Sequence, residues 1–314
     1  MTLLIALTGW DVDPWVRRFQ SLLPDRKIVT LGEPFDRRDV EYAAAWRHPP
    51  GSLAGLPNLA AIFSLGAGVD HLIGDPRLPD VPIVRVVDAD LTERMSEYVV
   101  LHSLMHLRQQ RRYDAQQREK LWVEEKHPPS ARDVRVGVMG LGVLGTDAAK
   151  KLEMMGFEVA GWSRSPKTLE GVATFSGQGG LDAFLARTDI LVTLLPLTEE
   201  TRGILNKGLF AKLARDGRLG GPILINAGRG RLQVEADIIA SLDDGTLKAA
   251  TLDVFETEPL PSDSPLWTHP AVTVTPHNAA VSEANAISAY IADQIRRFEA
   301  GRPLENVVKR DLGY

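Results

Sequence analysis

The chain has 314 residues, enough for two domains, and with 44% hydrophobic and 25% charged residues it can bury a large core. Its formal net charge of −5 argues against a nucleic-acid partner, because binding phosphates requires a basic surface. The chain contains no cysteine, which excludes disulfides, thiol catalysis and cysteine-ligated metals.

The first half of the chain alternates strand and helix patterns. Residues 3–7 predict a strand rather than a signal sequence, because no basic flank precedes them. No apolar run approaches the roughly 20 residues of a membrane span, so we expect a cytoplasmic protein without a membrane partner. An amphipathic helix opens at Asp13-Pro14. Further strands are predicted at 27–30, 40–46, 58–64 and 81–86, and their alternation with helices indicates a parallel α/β sheet.

A glycine-containing loop follows the fourth of these strands. Ligands of open α/β sheets gather at the carboxyl ends of strands, and successive N–H groups around two glycines form a concave anion site. We interpret the loop as a holder for a small carboxylate; the alternative is a plain glycine turn before a helix. The residues concerned are Leu65, Gly66, Ala67 and Gly68.

The second half opens with a dinucleotide fingerprint. A helical pattern from Thr92 to about Arg118 leads to the apolar run 134–139, which predicts a buried strand. A Gly-x-Gly-x-x-Gly turn, a helix and a second strand at 157–162 follow. The three glycines would permit the tight turn, the close approach of a pyrophosphate and close helix packing, in that order. They are Gly140, Gly142 and Gly145.

The residues after the second strand indicate which dinucleotide binds. NAD-binding units place Asp or Glu near this position to bond the ribose 2′-OH. Here the segment is Ser163-Arg164-Ser165, with Lys167 close by and no carboxylate to repel a 2′-phosphate. Arg164 would pair with that phosphate, and the two hydroxyls would donate to it. We therefore expect NADPH to be preferred over NADH.

The remaining elements continue the alternation to the end of the chain. The last helix is predicted to start at Ser282 and to end at Gly301, long enough to return to the first domain. We expect a discontinuous substrate domain, 1–99 plus 285–314, and an NADP-binding domain at 100–284. Strands are predicted at 189–195, 223–226, 249–255 and 272–275, and helices at 181–186, 210–213 and 235–242.

Three residues at the ends of successive strands suit the reduction of a carbonyl. Arg229 would bind the carboxylate and the carbonyl of a 2-keto acid in a fork. His277, when charged, would donate a proton as hydride arrives from the cofactor. Glu258 would orient the imidazole and stabilise its charged form. Individually they could be a helix-cap Arg, a surface Glu and a loop His.

Five ordered motifs make the chain resemble the D-2-hydroxyacid dehydrogenase family. They are the fingerprint, Leu-Pro-Leu-Thr-Glu-Glu-Thr-Arg-Gly at 195–203, Asn-Ala-Gly-Arg-Gly at 226–230, Asp-Val-Phe-x-x-Glu-Pro at 253–259 and Pro-His at 276–277. The segments Trp-Arg-His-Pro-Pro, Leu-Gly-Ala-Gly-Val-Asp and Trp-Ser-Arg-Ser resemble its glyoxylate/hydroxypyruvate reductase A branch.

The resemblance implies an α/β protein of two Rossmann-like domains with parallel sheets, the NAD(P)-binding domain inserted into a flavodoxin-like substrate domain. It implies a homodimer, no metal, and Arg229, Glu258 and His277 as catalytic residues. It places Trp46 and the loop 65–68 at the substrate. Its cofactor residues, besides those named above, are Val143, Leu144, Leu195, Pro196, Thr201, Ala227, Gly228 and Asp253, the last at the nicotinamide amide.

The sequence therefore predicts an NADPH-dependent reductase of small 2-keto acids, glyoxylate and hydroxypyruvate first. Two alternatives stay open. The same chemistry would serve pyruvate, phenylpyruvate or another bulkier keto acid. The fold would also serve a non-catalytic, nucleotide-sensing protein.

Overall fold

The computed structural model describes residues 1–281, 283–310 and 313. Its strands are β1 (Thr2–Leu7), β2 (Lys27–Thr30), β3 (Val40–Trp46), β4 (Ala61–Ser64), β5 (Ile83–Val84), β6 (Arg135–Met139), β7 (Glu158–Ser163), β8 (Ala173–Ser176), β9 (Ile190–Thr193), β10 (Ile223–Asn226), β11 (Ala249–Leu252) and β12 (Val272–Val274). Its helices are α1 (Asp13–Leu22), α2 (Asp70–Ile73), α3 (Ala89–Leu107), α4 (Gln110–Arg118), α5 (Val143–Met154), α6 (Gly177–Ala186), α7 (Lys207–Phe210), α8 (Glu235–Asp243) and α9 (Ala284–Glu299).

The chain divides into two compact units. The first unit combines Met1–Leu91 with Ser282–Tyr314, and the second unit is Thr92–Val281. The domain boundaries expected after residues 99 and 284 stay a prediction.

The first unit contains a five-stranded parallel sheet in the order β2-β1-β3-β4-β5. This is the strand order of flavodoxin-like folds. Both faces of the sheet are covered, which explains why its central strands are almost wholly apolar. On one face Phe19 of α1 and Ile291 of α9 pack in a core cluster with Phe63 of β4. On the other face Leu53 and Leu72 join a second cluster.

The second unit contains a seven-stranded parallel sheet in the order β12-β11-β10-β9-β6-β7-β8. From β6 the chain builds outward through β7 and β8, then crosses to β9 and builds the other half. This reversal is the Rossmann arrangement, and it creates a switch point between β6 and β9. Phe184 of α6 and Phe210 of α7 cover one face, while Val99 of α3 and Leu152 of α5 cover the other.

These two sheets confirm the predicted fold class, but several predicted elements need correction. The single helix expected from Thr92 to Arg118 is two helices, broken where Gln109 takes a left-handed φ of 55°. The helix expected at 210–213 is α7, displaced toward the N-terminus because the Asn206 side chain caps it by accepting from Leu209 N. Strand β8 was not predicted at all. Ser282, expected to start the last helix, lies outside the described residues.

No helix in the described part of the chain is both long and apolar enough to cross a lipid bilayer.

A buried ion pair fixes the amino ends of β6 and β9. Arg135 Nη2 lies 2.7 Å from Asp189 Oδ1, and Arg135 N donates to Asp189 Oδ2 at 2.9 Å. The Asp189 side chain is only 2% exposed. Hydrogen bonds to Asp189 and Asp216 raise the pKa of Arg135 above its usual range, so the guanidinium stays charged.

Removing the cation should leave the Asp189 carboxylate buried without its partner. We expect Arg135→Ala to lower the free energy of unfolding by about 3 kcal/mol. Lys212→Ala, which breaks an ion pair whose side chains are 48% and 67% exposed, is the control and should change stability little. Urea unfolding of both variants measures the difference, and equal midpoints would contradict a stabilising role for the buried pair.

Candidate active site

The fingerprint turn lies at the switch point of the second unit's sheet. Gly140 follows β6 directly, and its N–H donates to Trp162 O on β7 at 2.9 Å. Register pairs Met139 of β6 with Thr193 of β9, so the turn is adjacent to the loop that follows β9. Helix α5 starts at Val143 with Gly142 as its N-cap, and its first N–H groups face the end of the turn.

The three glycines meet different surroundings. Gly140 has a φ of 111°, and a Cβ there would lie 2.8 Å from the Leu194 carbonyl oxygen. A Cβ on Gly145 would overlap the carbonyl oxygen of Gly140. A Cβ on Gly142 would meet no atom within 4 Å. The first and third glycines are therefore required by the protein's own packing. The open space at Gly142, beside a helix N-terminus, fits the pyrophosphate of a dinucleotide.

The Ser-Arg-Ser turn at the end of β7 is mostly exposed. Arg164 and Ser165 are exposed, whereas Ser163 is buried and donates its hydroxyl hydrogen to Ser165 O at 2.8 Å. Lys167 Nζ donates to the carbonyl of Leu141 in the fingerprint turn. Lys167 thus links the Ser-Arg-Ser segment to the fingerprint turn. The sequence showed only that a basic residue lies near this segment.

The loop after β9 contains three further predicted cofactor residues. Leu195 is buried, and the hydroxyl of Thr201 donates to Pro196 O at 2.7 Å. Thr201 Oγ1 also accepts from Thr198 N at 2.8 Å. The Thr201 hydroxyl therefore closes this loop on itself, and its contact with a cofactor stays a prediction.

Arg229, Glu258 and His277 follow three neighbouring strands of the second unit. Parallel register pairs Asn226 of β10 with Leu252 of β11, and Leu252 with Val274 of β12. Because the strands are parallel, the segments that follow them leave the sheet at the same edge.

Glu258 and His277 are in direct contact. His277 Nδ1 lies 2.8 Å from Glu258 Oε2, and the side chains are 36% and 19% exposed respectively. Glu258 Oε1 accepts from Phe255 N at 3.2 Å, which orients the carboxylate. A carboxylate only accepts hydrogen bonds, so Nδ1 carries the hydrogen of this contact, and Nε2 is the ring nitrogen left for the predicted proton transfer.

A buried amide network shapes the Arg229 loop. Asn226 Nδ2 donates to Arg229 O at 3.2 Å and to Gln233 Oε1 at 2.8 Å, and Gln233 Nε2 donates to Val254 O. Gly228 N donates to Asn226 Oδ1, and Arg229 Nη1 donates to Gly228 O. Asn226 and Gln233 are 0% and 2% exposed. Neither Asn226 nor Gln233 was among the site residues predicted from the sequence.

Asp253, expected at the nicotinamide amide, contacts the segment around His277. Asp253 Oδ1 accepts from the Thr275 hydroxyl at 2.6 Å and from Asn278 N at 3.0 Å, and Oδ2 accepts from Ala279 N at 3.0 Å. Its backbone oxygen accepts from His277 N at 2.8 Å. The carboxylate therefore organises the loop of the predicted proton donor, and contact with a cofactor stays a prediction.

The predicted substrate loop and Trp46 lie together in the first unit. Leu65 and Gly66 are buried, while Ala67 and Gly68 are half-buried. A Cβ on Gly66 would lie 2.5 Å from the Trp46 ring, so only glycine permits this approach. Leu65 N donates to Ala45 O at 3.0 Å, which ties the loop to β3.

Comparisons with known proteins identify the family. Residues 100–279 match the model of the D-isomer specific 2-hydroxyacid dehydrogenase, NAD binding domain. The chain is 40% identical over 320 residues to a glyoxylate/hydroxypyruvate reductase A from Serratia proteamaculans, covering 100% of both chains.

Two solved structures are similar over the whole chain. One is an NADPH-dependent glyoxylate/hydroxypyruvate reductase from Sinorhizobium meliloti in complex with NADP and sulfate, with 49% identity and a TM-score of 0.94 over 100% of this chain and 99% of that one. The other is a probable 2-hydroxyacid dehydrogenase from Rhizobium etli in complex with NADP, HEPES and L(+)-tartaric acid, with 51% identity, a TM-score of 0.94 and the same coverage. The chain belongs to the D-2-hydroxyacid dehydrogenase family, and the predicted membership is confirmed.

The glycine geometry yields a prediction that separates folding from cofactor binding. We expect Gly142→Ala to leave the Tm unchanged, because its Cβ enters open space, yet to weaken NADPH binding roughly 10-fold or more by blocking the pyrophosphate. Gly145→Ala should lower the Tm as well, because its Cβ overlaps backbone. Thermal unfolding and fluorescence titration with NADPH measure both effects. Normal NADPH affinity in Gly142→Ala would place the pyrophosphate elsewhere.

Proposed function

We propose that this chain is an NADPH-dependent reductase of small 2-keto acids, with glyoxylate and hydroxypyruvate as substrates and His277 as the proton donor. The observation that carries the proposal is the 2.8 Å contact between His277 Nδ1 and Glu258 Oε2. It lies at the edge of the sheet that also presents the dinucleotide fingerprint. The curated relative from S. proteamaculans and the S. meliloti structure both bear the corresponding name.

The described residues fit NADP. The N-terminus of α5 and the open space at Gly142 suit the pyrophosphate, and the exposed Arg164 offers a cation where NAD-binding units place a carboxylate. Two relatives of about 50% identity hold NADP in their crystal structures. When bound, NADPH supplies the hydride for the carbonyl carbon of the substrate.

The chain's own residues supply binding and the proton. Arg229 would hold the substrate carboxylate and polarise the neighbouring carbonyl with its forked N–H donors. The Nε2 hydrogen of protonated His277 would pass to the carbonyl oxygen, so that the product is a 2-hydroxy acid. Glu258 would keep Nδ1 protonated throughout and would compensate the positive charge of the imidazolium before transfer.

Steady-state reduction of a keto-acid panel tests the proposal. We expect kcat/KM for glyoxylate and hydroxypyruvate to exceed that for pyruvate and phenylpyruvate, measured by NADPH absorbance. His277→Ala should lower kcat on the order of 10²-fold or more while NADPH still binds, because the proton donor is lost. His127→Ala, in an exposed segment before β6, is the matched control.

Each alternative has its own outcome in this experiment. A preference for phenylpyruvate would keep the chemistry and replace the substrate class. Binding of NADPH without turnover of any keto acid would favour a nucleotide-sensing protein. Near-normal turnover by His277→Ala would remove His277 as the proton donor.

The cofactor preference is tested at Arg164. We expect Arg164→Asp to lower the ratio of kcat/KM with NADPH to that with NADH by roughly 10- to 100-fold, because charge-assisted hydrogen bonds to the 2′-phosphate are lost and a repelling charge is added. Arg132→Asp makes the same charge change before β6, at the opposite edge of the sheet, and should preserve the ratio. An unchanged ratio in Arg164→Asp would exclude Arg164 from the phosphate site.

A homodimer and a cytoplasmic location complete the proposal. An apolar run follows α4, where Leu121, Trp122 and Val123 are 51%, 97% and 50% exposed. A second copy of the chain would shield this run from water. Light scattering in solution measures the oligomeric state.

A further inference from the structure

A tyrosine on α3 is connected to the His277 loop through two hydroxyl hydrogen bonds. Tyr98 Oη lies 2.8 Å from Thr275 Oγ1, and Thr275 Oγ1 donates to Asp253 Oδ1 at 2.6 Å. The Thr275 hydroxyl has one hydrogen, which the carboxylate accepts, so Tyr98 is the donor of the first bond. We call this directional chain from Tyr98 through Thr275 to Asp253 the tyrosine relay.

The relay ends on the group that holds His277 in place. Asp253 accepts the N–H groups of Asn278 and Ala279 at 3.0 Å each, directly after His277 in the chain. His277 itself has a φ of 52°, a left-handed conformation that is uncommon for a residue with a side chain. The hydrogen bonds to Asp253 therefore hold a conformation that the backbone would not adopt by itself.

Burial shields the relay from water and keeps the Tyr98 phenol protonated. Tyr98 is 8% exposed and Asp253 is 1% exposed, so water competes little for these bonds. The Tyr98 ring packs against His102 with ring centroids 4.2 Å apart. Burial raises the pKa of Tyr98 well above its usual range, so the phenol remains a hydrogen donor. A phenylalanine would fill the same apolar space, and the hydroxyl is needed only for the relay.

We propose that Tyr98 is a positioning residue for proton transfer: through Thr275 and Asp253 it holds residues 275–279 so that the His277 ring stays beside Glu258. The inference rests on the proposed function, since it assigns His277 the proton that the substrate receives. Tyr98 touches none of the reacting atoms and acts only through the relay.

Three variants test the relay by kinetics. We expect Tyr98→Phe to lower kcat about 5- to 10-fold, since one buried hydrogen bond is lost, with little change in the NADPH Kd. The deuterium isotope effect on kcat with deuterated NADPH should rise, because a misplaced proton donor slows the chemical step relative to product release. Thr275→Val should show the same changes or larger ones, and Thr275→Ser should restore wild-type behaviour.

The double variant Tyr98→Phe/Thr275→Val tests whether Tyr98 acts on kcat through Thr275 or independently of it. If Tyr98 acts through Thr275, its replacement should have no further effect once the Thr275 hydroxyl is gone. Additive losses in kcat would overturn the relay. A loss of folded protein would lower kcat but would leave the isotope effect unchanged, and that result would also overturn it.

Two control variants change side-chain hydrogen bonds that lie outside the relay. Tyr290→Phe removes a tyrosine hydroxyl that accepts from Asn306 Nδ2 at 2.9 Å in the first unit. His106→Gln alters the bond of His106 Nε2 to Thr251 Oγ1, made by the same helix α3. Both should leave kcat and the isotope effect unchanged. A rise in the isotope effect of His106→Gln would attribute the result to general loosening of α3 and would overturn the relay.

Hydrogen exchange measured by mass spectrometry tests whether Tyr98 holds residues 275–279, and it does not depend on catalytic turnover. Peptides covering residues 275–281 should exchange faster in Tyr98→Phe than in wild type, because the amides of Asn278 and Ala279 lose protection. Unchanged exchange would overturn the relay whatever the kinetics show. If the wild-type protein reduced no keto acid, the proposed function would fail, and exchange alone would decide whether Tyr98 holds the loop.

Discussion

One buried carboxylate holds the candidate active site in shape. Asp253 is 1% exposed, and a carboxylate so far from water is costly unless hydrogen bonds replace its hydration. Thr275, Asn278 and Ala279 supply those bonds from a single short segment. The same segment contains His277 in a left-handed conformation, which costs free energy by itself. The hydrogen bonds that this segment donates to Asp253 offset that free-energy cost and keep the His277 ring beside Glu258.

The parallel sheet explains why residues far apart in sequence share one edge. The fingerprint lies at the switch point between β6 and β9, and the segments containing Arg229, Glu258 and His277 follow β10, β11 and β12. All of these segments leave the carboxyl ends of strands in the same sheet. A cofactor at the fingerprint and a substrate at the strand-end residues, as proposed, would therefore lie at the same edge of the sheet. The strand order of the second unit is therefore enough to bring the predicted cofactor and substrate residues to one edge of the sheet.

The parts that were predictable from sequence are those with a local signature. Strand patterns and glycine spacing indicated two parallel sheets, and strand ends indicated that Glu258 and His277 belong together. The buried amide pair of Asn226 and Gln233 was not predictable, because polar residues of this kind face solvent equally well and the sequence does not specify their partners. The break at Gln109 was missed because no glycine or proline marks it, and the polar residues 108–118 are good helix formers on either side of it.

The hydroxyls of Ser163 and Thr201 already have hydrogen-bond acceptors within their own loops. The hydrogen of Ser163 is donated to Ser165 O, and that of Thr201 is donated to Pro196 O. A hydroxyl has a single hydrogen, so neither residue can also donate to a phosphate without giving up its loop contact. These hydroxyls shape the loops on either side of the fingerprint. The proposed binding of the 2′-phosphate would then rest on the several charged N–H donors of Arg164, together with the exposed hydroxyl of Ser165.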